Sequence, residues 1–121
     1  MHWRIVLHPE VENWLGALAD GDYESMVAAL EMLRKHGPAL GRPLVDSIRS
    51  SAHKNMKELR VRHYRCLFAF DSRREAIVLL GGSKKGRWES WYEVNLPIAD
   101  VRFREHLERI ESKDQGSGRH I

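Results

Sequence analysis

The sequence predicts an α+β fold: an N-terminal strand, a helical hairpin, a three-stranded antiparallel meander and a C-terminal helix, with the helices packed on one face of the sheet. Three observations carry this expectation. Residues 9–36 hold two successive apolar stripes at helical spacing, and residues 56–62 alternate with a period of two before two further strand-forming runs. A last helical stripe follows Pro97.

Residues 3–7 are rich in strand formers and stop at His8-Pro9, which marks a first strand. Pro9 suits the first position of a helix, and Val11, Trp14, Leu15 and Leu18 follow the i, i+3, i+4, i+7 spacing of one face. Asp20-Gly-Asp22 is expected to break that helix, with Asp20 or Asp22 capping the next. The second face is Tyr23, Met26, Val27, Leu30 and Leu33, ended by His36-Gly37-Pro38. Residues 39–52 are dominated by Gly, Pro, Arg and Ser, with Leu44, Val45 and Ile48 as apolar anchors, and read as a loop or an irregular crossing segment.

In residues 56–62, Leu59 and Val61 point to one face of a strand while Glu58, Arg60 and Arg62 point to the other, a wet or functional face. Turns at His63-Tyr64 and at residues 71–74 connect the runs 65–70 and 75–80, and Gly81-Gly82 is expected to end the last strand. Pro97 is expected to open the final helix, with Ala99, Phe103, Leu107 and Ile110 on its apolar side. Residues 1–111 then form one domain, and 112–121 a mobile tail.

Lys and Arg number 20 against 17 Asp and Glu, a net charge of +3. The excess is local. Residues 53–87 carry ten basic groups against three acidic ones, whereas residues 1–36 are net negative. A concentrated basic segment favours a polyanion, because each neutralised phosphate releases condensed counterions; a solvated surface is the plainer alternative. The single cysteine, Cys66, excludes a disulfide within the chain and fits a reducing compartment. No apolar stretch approaches the roughly 18 residues that span a bilayer, and no long apolar core opens the chain, so a cytoplasmic protein with no membrane partner is expected.

The chemistry is expected where the meander brings its cations together. Arg60, Arg65, Lys84 and Lys85 can converge, because neighbouring strands lie only about 4.8 Å apart. Such a cluster suits RNA cleavage by the adjacent 2′-hydroxyl, which needs a proton acceptor, cations at the phosphorane and a proton donor for the leaving 5′-oxygen. Glu58 or a crowded lysine is the candidate base, Arg60 and Arg65 the phosphate clamps, and Lys85 or Tyr92 the acid. Lys54, Lys57, Arg62, Lys84 and Arg87 are candidate RNA-binding cations, and Trp88, Trp91 and Tyr92 are candidate surfaces for base stacking.

Two duller readings stay open beside these. Trp88, Trp91 and Tyr92 also fit one face of a helical turn against a core, and Glu58 also fits a simple ion pair with Arg60 or Arg62. His53 and His63 are further candidate acids. The seven histidines and one cysteine show no tight ligand spacing, so no metal and no cofactor is expected.

The runs 56–60, 64–70 and 77–85, followed by 96–100 and its helix, together resemble the phage-derived HigB branch of the RelE/ParE toxin superfamily. The likeness runs from the first strand to about Ile110. It implies a RelE-like fold and a bacterial type II toxin, a metal-independent endoribonuclease that cuts messenger RNA on the ribosome. It further implies a cognate helix-turn-helix antitoxin of the HigA kind, with operator DNA bound only through that antitoxin. By position, Arg65 matches the family's phosphate-contacting arginine, Lys84 and Lys85 its second cationic site, and Tyr92 falls within about one residue of a RelE tyrosine. Met56 and Glu58 stand where RelE has lysines, so Glu58 as base rests on chemistry alone. A ParE-like toxin that binds gyrase without chemistry, and a non-catalytic nucleic-acid-binding module, are the alternatives.

Overall fold

The computed structural model describes residues 2–118, and side chains up to Lys113. Its elements run β1 (Arg4–Leu7), α1 (Pro9–Gly16), α2 (Asp20–His36), a short 3-10 turn (Gly37–Ala39), β2 (Val45–Ser47), β3 (Lys57–Val61), β4 (Tyr64–Phe70), β5 (Glu75–Ser83) and α3 (Ser90–Gly118). The sheet has five strands in the order β1-β5-β4-β3-β2, with β1 parallel to β5 and every other pair antiparallel. The α+β class and the meander match the expectation. Of the expected tail, residues 119–121 lie outside the described residues, as do the side chains from 114 onward.

Pro9 does occupy the first turn of α1, and the His8 ring accepts from the Glu10 N–H at 3.1 Å to cap it. The break between the helices falls at residues 17–19, before Asp20-Gly-Asp22. Ala19 is the extended N-cap of α2 and no side chain caps it. Asp20 and Asp22 instead sit in the first turn, where the helix N-terminus favours negative charge. Gly37 ends α2 at φ 54°, and a Cβ there would stand 2.3 Å from the Trp3 ring.

Residues 39–52 are not wholly a loop: Val45–Ser47 add β2 to the edge of the sheet, pairing Val45 with Leu59 and Asp46 with Glu58. Three residues are too few for a period-two signal to show in sequence.

The helices do not share one face. The α1–α2 hairpin buries Val11, Leu15, Met26 and Leu33 against Leu59, Cys66, Phe68 and Val78. The third helix buries Trp91, Leu96, Ala99 and Phe103 against Met56, Leu67, Ala69, Ile77 and Leu79 on the opposite side. The continuous apolar runs of β4 and β5 are the reason, since a strand covered on both faces has no polar alternation to display.

Two boundaries shift for related reasons. The strand β5 passes through Gly81-Gly82 to Ser83, because each missing Cβ admits an indole: Trp14 packs over Gly81 and Trp91 over Gly82. The helix α3 begins at Ser90, with Pro97 inside it. An interior proline costs about 3 kcal/mol. Burying Trp91 removes an indole of roughly 150–250 Å² from water, worth about 4–6 kcal/mol, which offsets it.

Candidate functional site

One extra residue in β5 sets the phase of the site. Leu67 pairs with Leu80 and Phe68 with Val78, so Leu79 is a bulge, and its carbonyl accepts from Arg102 Nη1 at 2.7 Å. Beyond the bulge, Gly82 lies opposite Arg65, and Arg65 opposite Arg60. Alternation then puts Glu58, Arg60, Arg65 and Lys84 on the α3 side of the sheet, where Tyr92 enters from the first turn of α3.

Glu58 is the centre of this group and is 2 % exposed. Its Oε2 accepts from Arg60 Nε at 2.9 Å, and its Oε1 accepts from the Tyr92 hydroxyl. Arg65 Nε stands 3.6 Å from Oε1, buried and without a hydrogen bond among the described residues. Arg65 Nη1 donates to the carbonyls of Arg62 and Tyr64 at 2.6 and 2.9 Å, which pins the guanidinium across the β3–β4 turn. Lys84 Nζ donates to the Tyr92 hydroxyl at 2.9 Å and stands 4.5 Å from the Tyr92 ring centroid.

Two like charges directly across a strand pair repel. Here Glu58 lies between Arg60 and Arg65, and Asp46 accepts from Arg60 Nη2 at 3.1 Å. A hydrogen bond from Arg42, then the Ser47 N–H and the charge of Arg60, hold the Asp46 carboxyl below the usual range. Burial and then the Arg65 and Arg60 charges lower the Lys84 pKa, against the pull of Glu58. Burial, followed by the hydrogen bond to Glu58, pushes the Tyr92 phenol up to about 12. Burial alone pushes the Cys66 thiol up to about 12, which makes it packing rather than a nucleophile.

The expected site residues therefore divide. Glu58, Arg60, Arg65, Lys84 and Tyr92 meet. Lys85 is exposed in the turn after β5, and its backbone N–H donates to Ser83 Oγ at 3.2 Å. Arg87 donates to the Ser83 carbonyl at 3.3 Å, and Trp88 is 57 % exposed with Lys84 Nζ 5.0 Å from its ring, so both flank the group. Of the aromatic trio, Trp91 belongs to the core and Trp88 to the surface.

Three expected cations lie elsewhere. Arg62 does not share the Glu58 face: the chain leaves β3 at Val61, and at φ 55° Arg62 swings to α2 and pairs with Asp22. Lys57 alternates to the face opposite Glu58 and reaches Ser47 Oγ at 3.3 Å. Lys54 lines a cavity with Asp71 and Phe103, past the opposite end of β3 and β4. The face itself is not a wet one, since Glu58 is buried beneath Tyr92. Asp46 is the member that sequence reasoning missed. Its signal was a carboxylate amid Arg42, Pro43 and Arg49, readable only once β2 is known to pair with β3.

For a metal, the described residues hold one group of three, Asp71, Glu75 and His106, with ligand atoms within 4.8 Å of one another. Asp71 Oδ1 already accepts from the Arg73 and Glu75 N–H groups at 2.9 and 3.0 Å. Its Oδ2 meets His106 Nε2 at 2.9 Å, and Arg4 stands 3.6 Å from Glu75. The donors and acceptors are matched internally, and the group ties α3 to the β4–β5 turn.

A small α+β domain with a basic cluster around one buried carboxylate has clear relatives. Residues 13–104 match the family of phage derived proteins that are Gp49-like. HigB2 and HigB3 of Mycobacterium tuberculosis, both described as toxins, are 49 % identical to this chain over 106 and 100 residues, or 84 % and 81 % of it. The chain spans about half of HigB2 (53 %) and 88 % of HigB3. Among solved structures, the archaeal RelE–RelB complex from Pyrococcus horikoshii shares the fold at a TM-score of 0.60 and 18 % identity, covering 72 % of this chain and 99 % of that one. A mutant of Escherichia coli RelE in the free state gives 0.57 at 12 % identity, covering 73 % and 90 %. The chain belongs to the Gp49-like family, is similar to the HigB toxins and shares its fold with the RelE structures. No helix among the described residues is long and apolar enough to cross a membrane.

Proposed function

We propose that this chain is the toxin of a type II toxin–antitoxin system, a metal-independent endoribonuclease that cleaves messenger RNA on the ribosome and so inhibits translation. The reading includes a cytoplasmic site of action and a cognate helix-turn-helix antitoxin, through which operator DNA is bound. The observation that carries it is the linked chain Lys84 Nζ, Tyr92 hydroxyl and Glu58 Oε1, flanked by Arg60 and Arg65.

That chain supports a proton path. Glu58 is too buried to touch a 2′-hydroxyl, whereas Tyr92, whose hydroxyl bonds to it, is only partly buried. The 2′-O–H proton passes to the Tyr92 oxygen as the Tyr92 proton passes to Glu58, so no free tyrosinate forms from a phenol with a pKa near 12. The freed 2′-oxygen attacks phosphorus, the phosphorane charge falls to Arg65 and Arg60, and the P–O5′ bond breaks. Lys84, whose lowered pKa makes it a readier donor, protonates the departing 5′-oxygen. The products are a 2′,3′-cyclic phosphate and a 5′-hydroxyl end, and solvent returns the proton from Glu58 to Lys84.

The test is inducible expression with transcriptome-wide mapping of new 5′-hydroxyl ends, beside Arg65→Ala and Tyr92→Phe controls. New ends inside translated frames, absent in both controls, are expected. Arrested growth with intact messages would overturn the ribonuclease reading and point to a target such as gyrase.

A further inference from the structure

We propose that the cavity beside Tyr92 is a nucleobase slot that selects guanine; the inference rests on the ribonuclease reading and assigns that site a base preference. The cavity has a volume of 260 Å³ and is lined by Ser50, Tyr92, Glu93, Leu96, Pro97 and Asp100. It lies below the 300–1,000 Å³ typical of sites for drug-sized ligands, and suits a single planar base. It shares the Tyr92 ring with the Lys84–Tyr92–Glu58 chain, so an occupant sits one residue from the reacting atoms.

The walls divide by chemistry. Tyr92, Leu96 and Pro97 give aromatic and aliphatic surface, and a base stacks on such surface whatever its identity. The polar groups differ in what they have left to offer. Asp100 is engaged: Ser51 Oγ donates to its Oδ1 at 2.5 Å and the Ala52 N–H to its Oδ2 at 3.1 Å, which holds the 50–53 segment as one wall. Glu93 is exposed in the first turn of α3 and has no hydrogen bond or ion pair among the described residues. Beside the Ser50 hydroxyl, which can turn either to donate or to accept, the cavity presents one uncommitted carboxylate, Glu93, an acceptor with two oxygens and no donor.

Guanine alone among the four bases carries two parallel N–H donors on one edge, N1–H and N2–H, that match both oxygens of a carboxylate. Adenine and cytosine each offer one donor beside an acceptor that a carboxylate repels. Uracil offers a single N–H between two carbonyls. A bidentate pairing of this kind separates the right base from the wrong one by about ten-fold or more.

The experiment measures binding of 2′-O-methyl RNA pentamers, which lack the attacking hydroxyl, by fluorescence anisotropy. The four pentamers are all-uridine and its variants with G, A or C at the centre. The G-centred pentamer is expected to bind about ten-fold more tightly than the all-uridine one. In Glu93→Ala the difference disappears. In Glu93→Gln, whose amide offers one acceptor and one donor, the preference moves from G to A. Equal affinities for all four in the wild type, no binding at all, or a G preference unaltered in both variants would each overturn the slot. A guanine preference in a protein that cleaves no unblocked RNA leaves the slot standing and removes the ribonuclease reading. Cleavage with no base preference removes the slot alone.

Discussion

Tyr92 and Glu58 lie 34 residues apart, on different elements, and a single hydrogen bond from the phenol to the carboxylate closes the site between them. Everything else in the cluster is arranged around that bond: Lys84 supports the phenol, and Arg60 and Arg65 face the carboxylate.

Glu58 is the counterion that lets two opposed arginines share one strand pair. Removing one member of a buried charge group leaves the others uncompensated, at a cost of about 3–5 kcal/mol. Glu58→Ala is expected to lose about 3 kcal/mol of stability in urea unfolding, with cleavage lost as well. A variant as stable as the wild type would mean that Arg60 and Arg65 need no anion between them.

Tyr92 has a signature at alkaline pH. The folded chain holds the phenol proton more tightly than an unfolded chain, with a pKa of about 12 against 10.0. Its contribution to stability is thus complete below pH 10 and is lost as pH rises from 10 to 12. Chemical denaturation across that window is expected to show a steeper fall for wild type than for Tyr92→Phe. Parallel curves would show that the phenol is not held as described.

The two neighbouring tryptophans are expected to fail in different assays. Trp91 is 2 % exposed and Trp91→Ala is expected to cost about 3–5 kcal/mol, whereas Trp88→Ala changes stability by no more than about 0.5 kcal/mol. Under the proposed ribonuclease reading, Trp88→Ala is instead expected to weaken RNA binding through loss of a stacking surface. Unfolding curves and anisotropy on the same two variants check both halves, and equal stability losses would contradict the division between core and surface.

At the other end of the sheet, Asp71 anchors α3 through His106. Burial raises the Asp71 pKa, but the His106 contact and the Glu75 and Arg73 N–H groups outweigh it, and the net shift is below 3.8. A depressed carboxyl pKa contributes stability that is complete above pH 3.8 and is lost as pH falls through the folded value. Asp71→Asn is expected to remove that part of the acid sensitivity, and acid titration followed by circular dichroism reads it. Identical acid midpoints for variant and wild type would count against the anchor.

The periodicities read along the chain settled the α+β class, the helical hairpin and the meander, because 3.6- and 2-residue repeats are local and a single segment displays them. The local basic excess was equally legible, since ten cations in residues 53–87 are a matter of composition. Arg60, Arg65, Lys84 and Tyr92 were named from residue type and order. What assembled them was not local. The Leu79 bulge turned Lys84 to the Arg65 side, β2 brought Asp46 to Arg60, and α3 crossed to the second face with Pro97 inside it, driven by the burial of Trp91. Each of these is decided by packing between distant segments, whose energies outweigh the propensities of the residues concerned. For the same reason Arg62, in sequence one step along an alternating strand, ends at Asp22 on a helix 40 residues away.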